Sequence, residues 1–321
     1  MELFPAVPYT SWNPTKETIH RFAQIVGKVR LAFSQRRNHW WNVPYHLTGR
    51  GITTRPMGLT DSGEFFCMDF DFVDHSLRIT HSSGAAVSFP LPGLSVGEFY
   101  RRLVGSLEQI GVPCDIARPF PYDLPDAARP FADDTEHVIY NTEHAHTYWI
   151  VLSQVNLILE EYAAQWSGKT SPVHHFWHTF DIAVTRFSDK KTQLPASADT
   201  VTREASSREV ISAGFWFGDP SFPEPAFYSY TAPEPKGLEN QEITPAQARW
   251  IPLRGSHLAV LRYDDVRDTP KPRQTVLDFL GSAYRAGAGL AGWDIDAKAC
   301  PGGVTCDSSA PAHSRLSDLQ L

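Results

Sequence analysis

The chain carries two stretches that resemble each other, and this repeat constrains its fold more than any other feature. Residues 17–31 (ETIHRFAQIVGKVRL) and 143–157 (EHAHTYWIVLSQVNL) align without gaps, with Glu, His, Val and Leu coinciding. A His–aromatic–Trp cluster follows each copy, His39-Trp40-Trp41 in one case and His175-Phe176-Trp177 in the other. This order predicts two similar halves related by a pseudo-twofold axis. A crevice between such halves is where we expect a ligand.

The distribution of apolar residues predicts an α+β fold. We expect it to be internally duplicated, with two similar halves that each contain a helix, an antiparallel β-meander and a second helix. In the first half, apolar residues at helical spacing predict a helix over 16–33. Alternating apolar residues predict strands over 64–73, 77–81 and 85–89. Ser95 and Glu98 then form a capping box at the start of a helix.

The second half shows the same kinds of pattern in a less regular order. Helices are predicted over 142–165 and 275–289, and one continuous strand over 173–187. Further strands are predicted over 209–217, 227–230 and 257–263. The resulting boundaries are a first pseudo-repeat at 1–111, a Pro-rich linker at 112–135, a second pseudo-repeat at 136–297 and a disordered tail at 298–321. Residues 1–15 are expected to form an extended arm.

Charge and composition argue against several classes of protein. The net charge of −7 gives no basic bias, so we expect no nucleic-acid partner. No apolar run approaches the ~20 residues of a membrane-spanning helix, and the first residues do not resemble a secretory signal. Four cysteines are too few and too scattered for a disulfide framework. The sequence therefore predicts a cytoplasmic protein without a membrane partner.

The segment 171–181 (SPVHHFWHTFD) is the richest in reactive side chains. On a continuous strand, His175, Trp177 and Asp181 would share one face and His174 the other. A histidine beside an aspartate is a workable general base with an orienting partner, so we predict acid–base chemistry in this segment with Asp181 as the orienting group. The repeat adds His39 as a second candidate. The alternative is that amphipathic His and Trp side chains simply fill a mixed core.

A second group of polar residues follows one face of the first helix. His20, Gln24 and Lys28 are four residues apart, and Gly27 beside them permits close approach. This row either faces solvent or lines a site, and His20 is a candidate catalytic residue if it lines one.

Cations next to the His and Trp clusters predict a pocket for a carboxylate or phosphate if they converge, and they are Lys28, Arg30, Arg50, Lys169, Arg186 and Arg203. The expected binding residues are Lys28, Arg50, Lys169 and Arg186, with Trp40 and Trp177 as walls. The favoured hypothesis is an enzyme that acts on a small anionic organic molecule by acid–base chemistry. A non-catalytic binding or sensor protein is the alternative. A second alternative is a metal-dependent enzyme with His39, His75 and His174 as ligands; no other cofactor is predicted.

The chain also resembles an uncharacterised protein family. The runs that carry the resemblance are QIVGK-R at 24–30, NHWW-VP with T-RG-TT at 38–54, FDF--H at 70–75 and SPVH-FW--FD-AVTRF at 171–187. The resemblance covers residues 8–296 and implies one integral fold, while the family has no known function. The chain departs from the family pattern at His46, His175 and His178. This moves the expected chemistry to His20, His39, His75 and His174.

Overall fold

The computed structural model describes residues 2–58, 62–192, 200–253 and 255–303. Helix α1 (Tyr9–Phe33) is the longest helix among these residues. The predicted start near residue 16 is therefore wrong, and so is the extended arm from residue 9 onward. The helix includes Pro14, and its Trp12 ring is buried against Tyr148 at 5.4 Å. This packing explains the longer helix, because burial of a large aromatic ring outweighs the weak helix propensity of the segment.

The first sheet has the strand order β1-β2-β4-β5-β6, with β3 paired to β4, and its pairings are antiparallel. Its apolar face agrees with the predicted alternation, since Phe66, Met68 and Phe70 are buried. Two β-hairpins join the three long strands into the predicted β-meander. The strands are β1 (His46–Leu47), β2 (Gly51–Thr53), β3 (Met57–Gly58), β4 (Phe65–Asp71), β5 (Ser76–His81) and β6 (Ala86–Pro90).

Helix α2 (Val96–Gln109) begins with the predicted capping box of Ser95 and Glu98. Its Phe99 stacks on Phe22 of α1 at 4.1 Å and on Phe70 of β4 at 6.1 Å, so α1, α2 and the sheet share one core.

The segment after α2 is anchored to α1 by charge. Asp126 accepts two hydrogen bonds from Arg21, at 2.6 and 3.0 Å, and Phe131 in a 3-10 turn is fully buried. The Pro-rich stretch at 112–135 therefore packs into the fold.

The remaining elements include a second sheet. Helix α3 (Thr142–Ala164) agrees with its prediction, as does α6 (Pro272–Leu290) apart from three residues at its start. The order β11-β12-β10-β9-β8 includes an edge strand, β11, that the sequence did not predict. The other elements are β7 (His174–His175), β8 (Ile182–Lys191), α4 (Thr200–Ala205), β9 (Arg208–Trp216), β10 (Ala226–Ala232), β11 (Arg249–Leu253), β12 (Ser256–Arg262), α5 (Tyr263–Arg267) and α7 (Ile295–Lys298).

The chain divides into two units that do not follow the predicted repeat boundaries. The first unit is Met1–Val155 with His174–Ile182 and Trp216–Pro225, and the second is the rest of the chain. The α+β class with antiparallel sheets is confirmed, whereas the internal duplication stays a prediction. The predicted tail lies mostly outside the described residues. No helix in the described part of the chain has the length and apolarity to cross a membrane.

Candidate functional site

The continuous strand predicted over 173–187 is interrupted, which changes the geometry of its histidines. Strand β7 ends at His175, the chain turns, and β8 begins at Ile182. Main-chain bonds from Phe176 N to Asp181 O (2.9 Å) and from Phe180 N to Phe176 O (2.8 Å) close this turn. Phe180 has a φ of 62°, which a strand does not contain. The prediction that His175, Trp177 and Asp181 share a strand face is therefore wrong.

Both ring nitrogens of His175 form hydrogen bonds within the protein. Its Nδ1 donates to the main-chain oxygen of Asp181 at 3.0 Å, so its Nε2 accepts from the Tyr148 hydroxyl at 2.6 Å. Burial lowers its pKa to about 4. The aspartate contributes its carbonyl here, while its carboxylate accepts from the Thr179 hydroxyl. His175 thus fastens the turn, as the mixed-core alternative proposed.

His174 points into a different environment, which we call the basic cluster: Arg30, His39, Trp41, His46, Arg55 and His174. The His174 ring lies 5.5 Å from the ring of His46 and 6.3 Å from Trp41, and Trp41 lies 5.5 Å from His39. All six residues belong to the first unit. They come from α1, the turn after it, β1, the loop after β2, and β7, so five separate segments meet at this point.

Two cations of the basic cluster, Arg30 and Arg55, form no ion pair with an acidic residue in the described part of the chain. Arg30 is 6% exposed, its Nε has no hydrogen-bond partner, and burial lowers its pKa to about 10. His174 is 1% exposed and its Nδ1 also has no partner. Burial, reinforced by the nearby Arg55, lowers the pKa of His46 and of His174 to about 3. Both imidazoles are therefore neutral at pH 7, and the guanidinium groups carry the charge.

The backbone is strained at two residues of the basic cluster and at Trp40, which lies between two of its members in the sequence. His39, Trp40 and Arg55 have φ values of 57°, 60° and 59°, in the left-handed region that residues with a Cβ rarely adopt. Each such conformation costs on the order of 1–3 kcal/mol, and strain of this kind concentrates at functional sites. Three strained residues around two unpartnered buried donors mark this cluster as the candidate site.

The predicted row on α1 lies apart from these groups and has a structural role at two of its three positions. His20 stacks on Phe180 at 4.6 Å, and its Nε2 donates to the main-chain oxygen of His178 at 3.2 Å. Gln24 exchanges two hydrogen bonds with the main chain of Tyr122, at 3.0 and 2.6 Å. The solvated alternative is wrong for this pair, because both side chains are buried.

Gly27 permits the close approach that the sequence predicted, and the neighbour is Trp177. A Cβ at Gly27 would lie 2.3 Å from Trp177 Cγ, so glycine is required there. The ammonium of Lys28 lies 5.9 Å from the same indole ring.

The other predicted binding residues are dispersed. Arg50 is half exposed and pairs with the carboxylates of Asp71 at 2.5 Å and Asp74 at 2.6 Å. The Trp40 ring stacks under the guanidinium of Arg36 at 4.1 Å. Lys169 and Arg186 belong to the second unit, where Lys169 lies over Phe187 and Arg186 over Tyr162.

The structure does not group the predicted metal ligands. His75 bonds the Tyr140 hydroxyl at 3.2 Å, and it is not clustered with His39 and His174 within the described residues. Two other groups have ligand-like spacing, Asp126 with Asp134 and His137, and Glu234 with Glu239 and His257. In the first group, the Asp126 carboxylate already pairs with Arg21. The Nδ1 of His137 forms a hydrogen bond with Asp134 at 2.7 Å.

Sequence reasoning named His39 and His174 as site residues but not their neighbours Arg55 and His46, and it noted Arg30 only as one of the cations next to the clusters. One signal for Arg30 was present, because it lies four residues after Val26 on the apolar stripe of α1. A charged residue at that spacing predicts either a paired or a functional buried charge.

Comparison with known proteins gives the family of the chain but no activity. Residues 4–300 match the model of a family of unknown function, DUF5996. No curated protein matches, and no solved structure matches. Two of the runs noted in the sequence, NHWW-VP and SPVH, supply His39, Trp41 and His174 to the basic cluster. Since the match spans nearly the whole sequence, the chain belongs to this family of unknown function.

Proposed function

We propose that the first unit binds a small anionic organic molecule at the basic cluster. The anion would lie against Arg30 and His174, with Arg55 at the exposed edge and the half-buried Trp41 ring against the organic part. This agrees with the sequence hypothesis of an anion bound among His, Trp and Arg, but it uses Arg30 and Arg55 in place of Arg50 and Arg186.

The observation that carries the proposal is the buried guanidinium of Arg30, whose Nε lacks a partner. Burying a charge without a counter-charge costs several kcal/mol, and proteins normally pair such groups. A bound carboxylate or phosphate provides both the opposite charge and hydrogen-bond acceptors. A metal cation fits poorly, because it would add positive charge beside two arginines.

Acid–base catalysis at His174 is the second candidate, and one observation favours it. His174 has a free Nδ1, and its ring faces His46 at 5.5 Å. A bound anion stabilises imidazolium, which raises the low pKa of both histidines towards the range where they can exchange protons near neutral pH. A reaction that depends on His174 would distinguish an enzyme from a binding protein.

The test is calorimetric titration of the protein with a panel of aliphatic and aromatic carboxylates and phosphate esters. Arg30→Gln and His174→Gln should each weaken binding by about 2–5 kcal/mol, as expected when one partner of a buried charged pair is lost. Arg78→Gln and His146→Gln are matched controls, since both residues are exposed in the first unit, and should bind normally. Unchanged binding by Arg30→Gln would overturn the proposal.

Three further expectations from the sequence remain proposals. These are the internal duplication, a cytoplasmic location and the absence of a nucleic-acid partner.

A further inference from the structure

Arg186 of the second unit lies in an aromatic enclosure of its own. It is 3% exposed, and its guanidinium carbon lies 3.9 Å from the centre of the Tyr162 ring, 4.3 Å from Tyr284 and 5.7 Å from Trp166. Its Nη2 donates to the main-chain oxygen of Tyr162 at 2.6 Å. The rings cover the faces of the guanidinium by cation–π contact.

The edges of the same side chains carry donors without partners. Three buried polar atoms lack hydrogen bonds here: Arg186 Nε, the hydroxyl of Tyr162 and Trp166 Nε1. The Tyr284 hydroxyl is a fourth donor without an acceptor, and its oxygen faces the Arg186 guanidinium. The neighbouring indole of Trp293 is different, because its Nε1 donates to Glu209 at 2.9 Å. Buried donors without partners are rare in native proteins and call for an explanation.

The chemistry of these atoms indicates the kind of ligand. All four can donate a hydrogen bond, and guanidinium and indole cannot accept one. Arg186 forms no ion pair with a described acidic residue. A ligand that accepts several hydrogen bonds and carries one negative charge balances one guanidinium. A phosphate dianion would leave a buried negative charge, so a carboxylate fits better.

Gly168 leaves the indole N–H edge of Trp166 uncovered. A Cβ at this position would lie 2.7 Å from Trp166 Nε1. Any larger residue would therefore crowd the one unpartnered indole nitrogen of this group.

We propose that the second unit contains a separate binding site for a small carboxylate, held by donors of Arg186, Tyr162, Tyr284 and Trp166. This site shares no residue with the basic cluster and does not depend on the function proposed for it.

The test is nuclear magnetic resonance of the full chain with ¹⁵N-labelled tryptophan, titrated with acetate. The Trp166 indole signal, assigned by its loss in Trp166→Phe, should shift and saturate. Acetamide, the neutral isostere, should leave it unmoved. The Arg30→Gln variant should respond like the wild type, which separates this site from the basic cluster. If the indole signal does not move, or moves equally with acetamide, the proposal is wrong.

Variants that preserve the fold identify the donors. Tyr162→Phe and Tyr284→Phe keep both rings and remove only a hydroxyl, and each should weaken acetate binding about tenfold. Gly168→Ala should weaken acetate binding to a similar extent. Gly289→Ala is the matched control, because no atom lies within 4 Å of the new Cβ, and it should bind acetate normally. Wild-type affinity in both phenylalanine variants and in Gly168→Ala would overturn the assignment.

Discussion

The two units each bury an arginine, but they surround it differently. In the first unit, Arg30 lies near His46 and His174, whose pKa is lowered first by burial and then by nearby guanidinium charges, among them those of Arg55 and Arg30. In the second unit, Arg186 lies between Tyr162 and Tyr284 and bonds a main-chain oxygen. The rings cover the faces of the Arg186 guanidinium in the free protein, whereas no described acidic residue pairs with Arg30. The first arrangement therefore depends on pH and ligand, whereas the second also stabilises the fold without a ligand.

The distribution of histidine reinforces this difference. His257 is the only described histidine of the second unit, and the others lie in the first. Acid should consequently act on one unit more than on the other.

Acidification is expected to have the largest effect. Burial lowers the pKa of His20, His46 and His174 to about 3, and that of His175 to about 4. Between those values and the ordinary 6.5 the unfolded chain binds more protons, so stability falls as the pH falls below 6.5. Each such histidine contributes about 1.4 kcal/mol per pH unit. Hydrogen exchange at pH 7 and pH 4.5 should show the first unit opening before the second. Equal loss of protection in both units would contradict the comparison.

Replacing each arginine by methionine tests whether the two charges are compensated. Arg186→Met removes three cation–π contacts and a hydrogen bond, and should lower the free energy of unfolding by about 2–4 kcal/mol. Arg30→Met removes a buried charge without a partner. The free energy of unfolding should therefore stay unchanged or rise by about 1–3 kcal/mol. Urea denaturation followed by hydrogen exchange measures both. A large loss of stability in Arg30→Met would show that Arg30 has a structural partner.

The glycine next to the tryptophan in each unit provides a steric test of the same contrast. Gly27→Ala places a methyl group 2.3 Å from Trp177 Cγ in a packed core, and should cost about 1–3 kcal/mol. Gly168→Ala lies at a half-buried loop beside an indole edge, and should cost less. Thermal denaturation compares the two variants, and an equal cost would mean that Trp166 is packed as rigidly as Trp177.

The smallest effect is expected at Arg50, which the sequence proposed as an anion-binding residue. Its ion pairs with Asp71 and Asp74 are half exposed, and pairs of this kind contribute about 0–1 kcal/mol. Arg50→Gln should therefore change the free energy of unfolding by less than about 1 kcal/mol and leave anion binding intact. A large loss of anion binding in this variant would favour the sequence hypothesis, in which Arg50 binds the anion, over binding at the basic cluster.

Residue patterns along the chain predicted the nearby secondary structure well. They failed where contacts between distant segments set the structure. The alternation at Phe66, Met68 and Phe70 identified strand β4, and the Ser95–Glu98 capping box identified the start of α2. The turn at 176–181 was missed because four of its six residues, Phe176, Trp177, Thr179 and Phe180, have strand propensity. The early start of α1 was missed because Trp12 packs against Tyr148, far away in the sequence.

The sequence by itself determined the α+β class and the family, and it proposed His39 and His174 as site residues. These follow from residue types and spacings that are visible along the chain. Only the tertiary structure decided that His174 lies beside Arg30 and His46 while Arg186 lies among aromatic rings in the other unit. The physical reason is that a charge is compensated by whatever surrounds it in space, and those neighbours come from segments that the sequence does not place together.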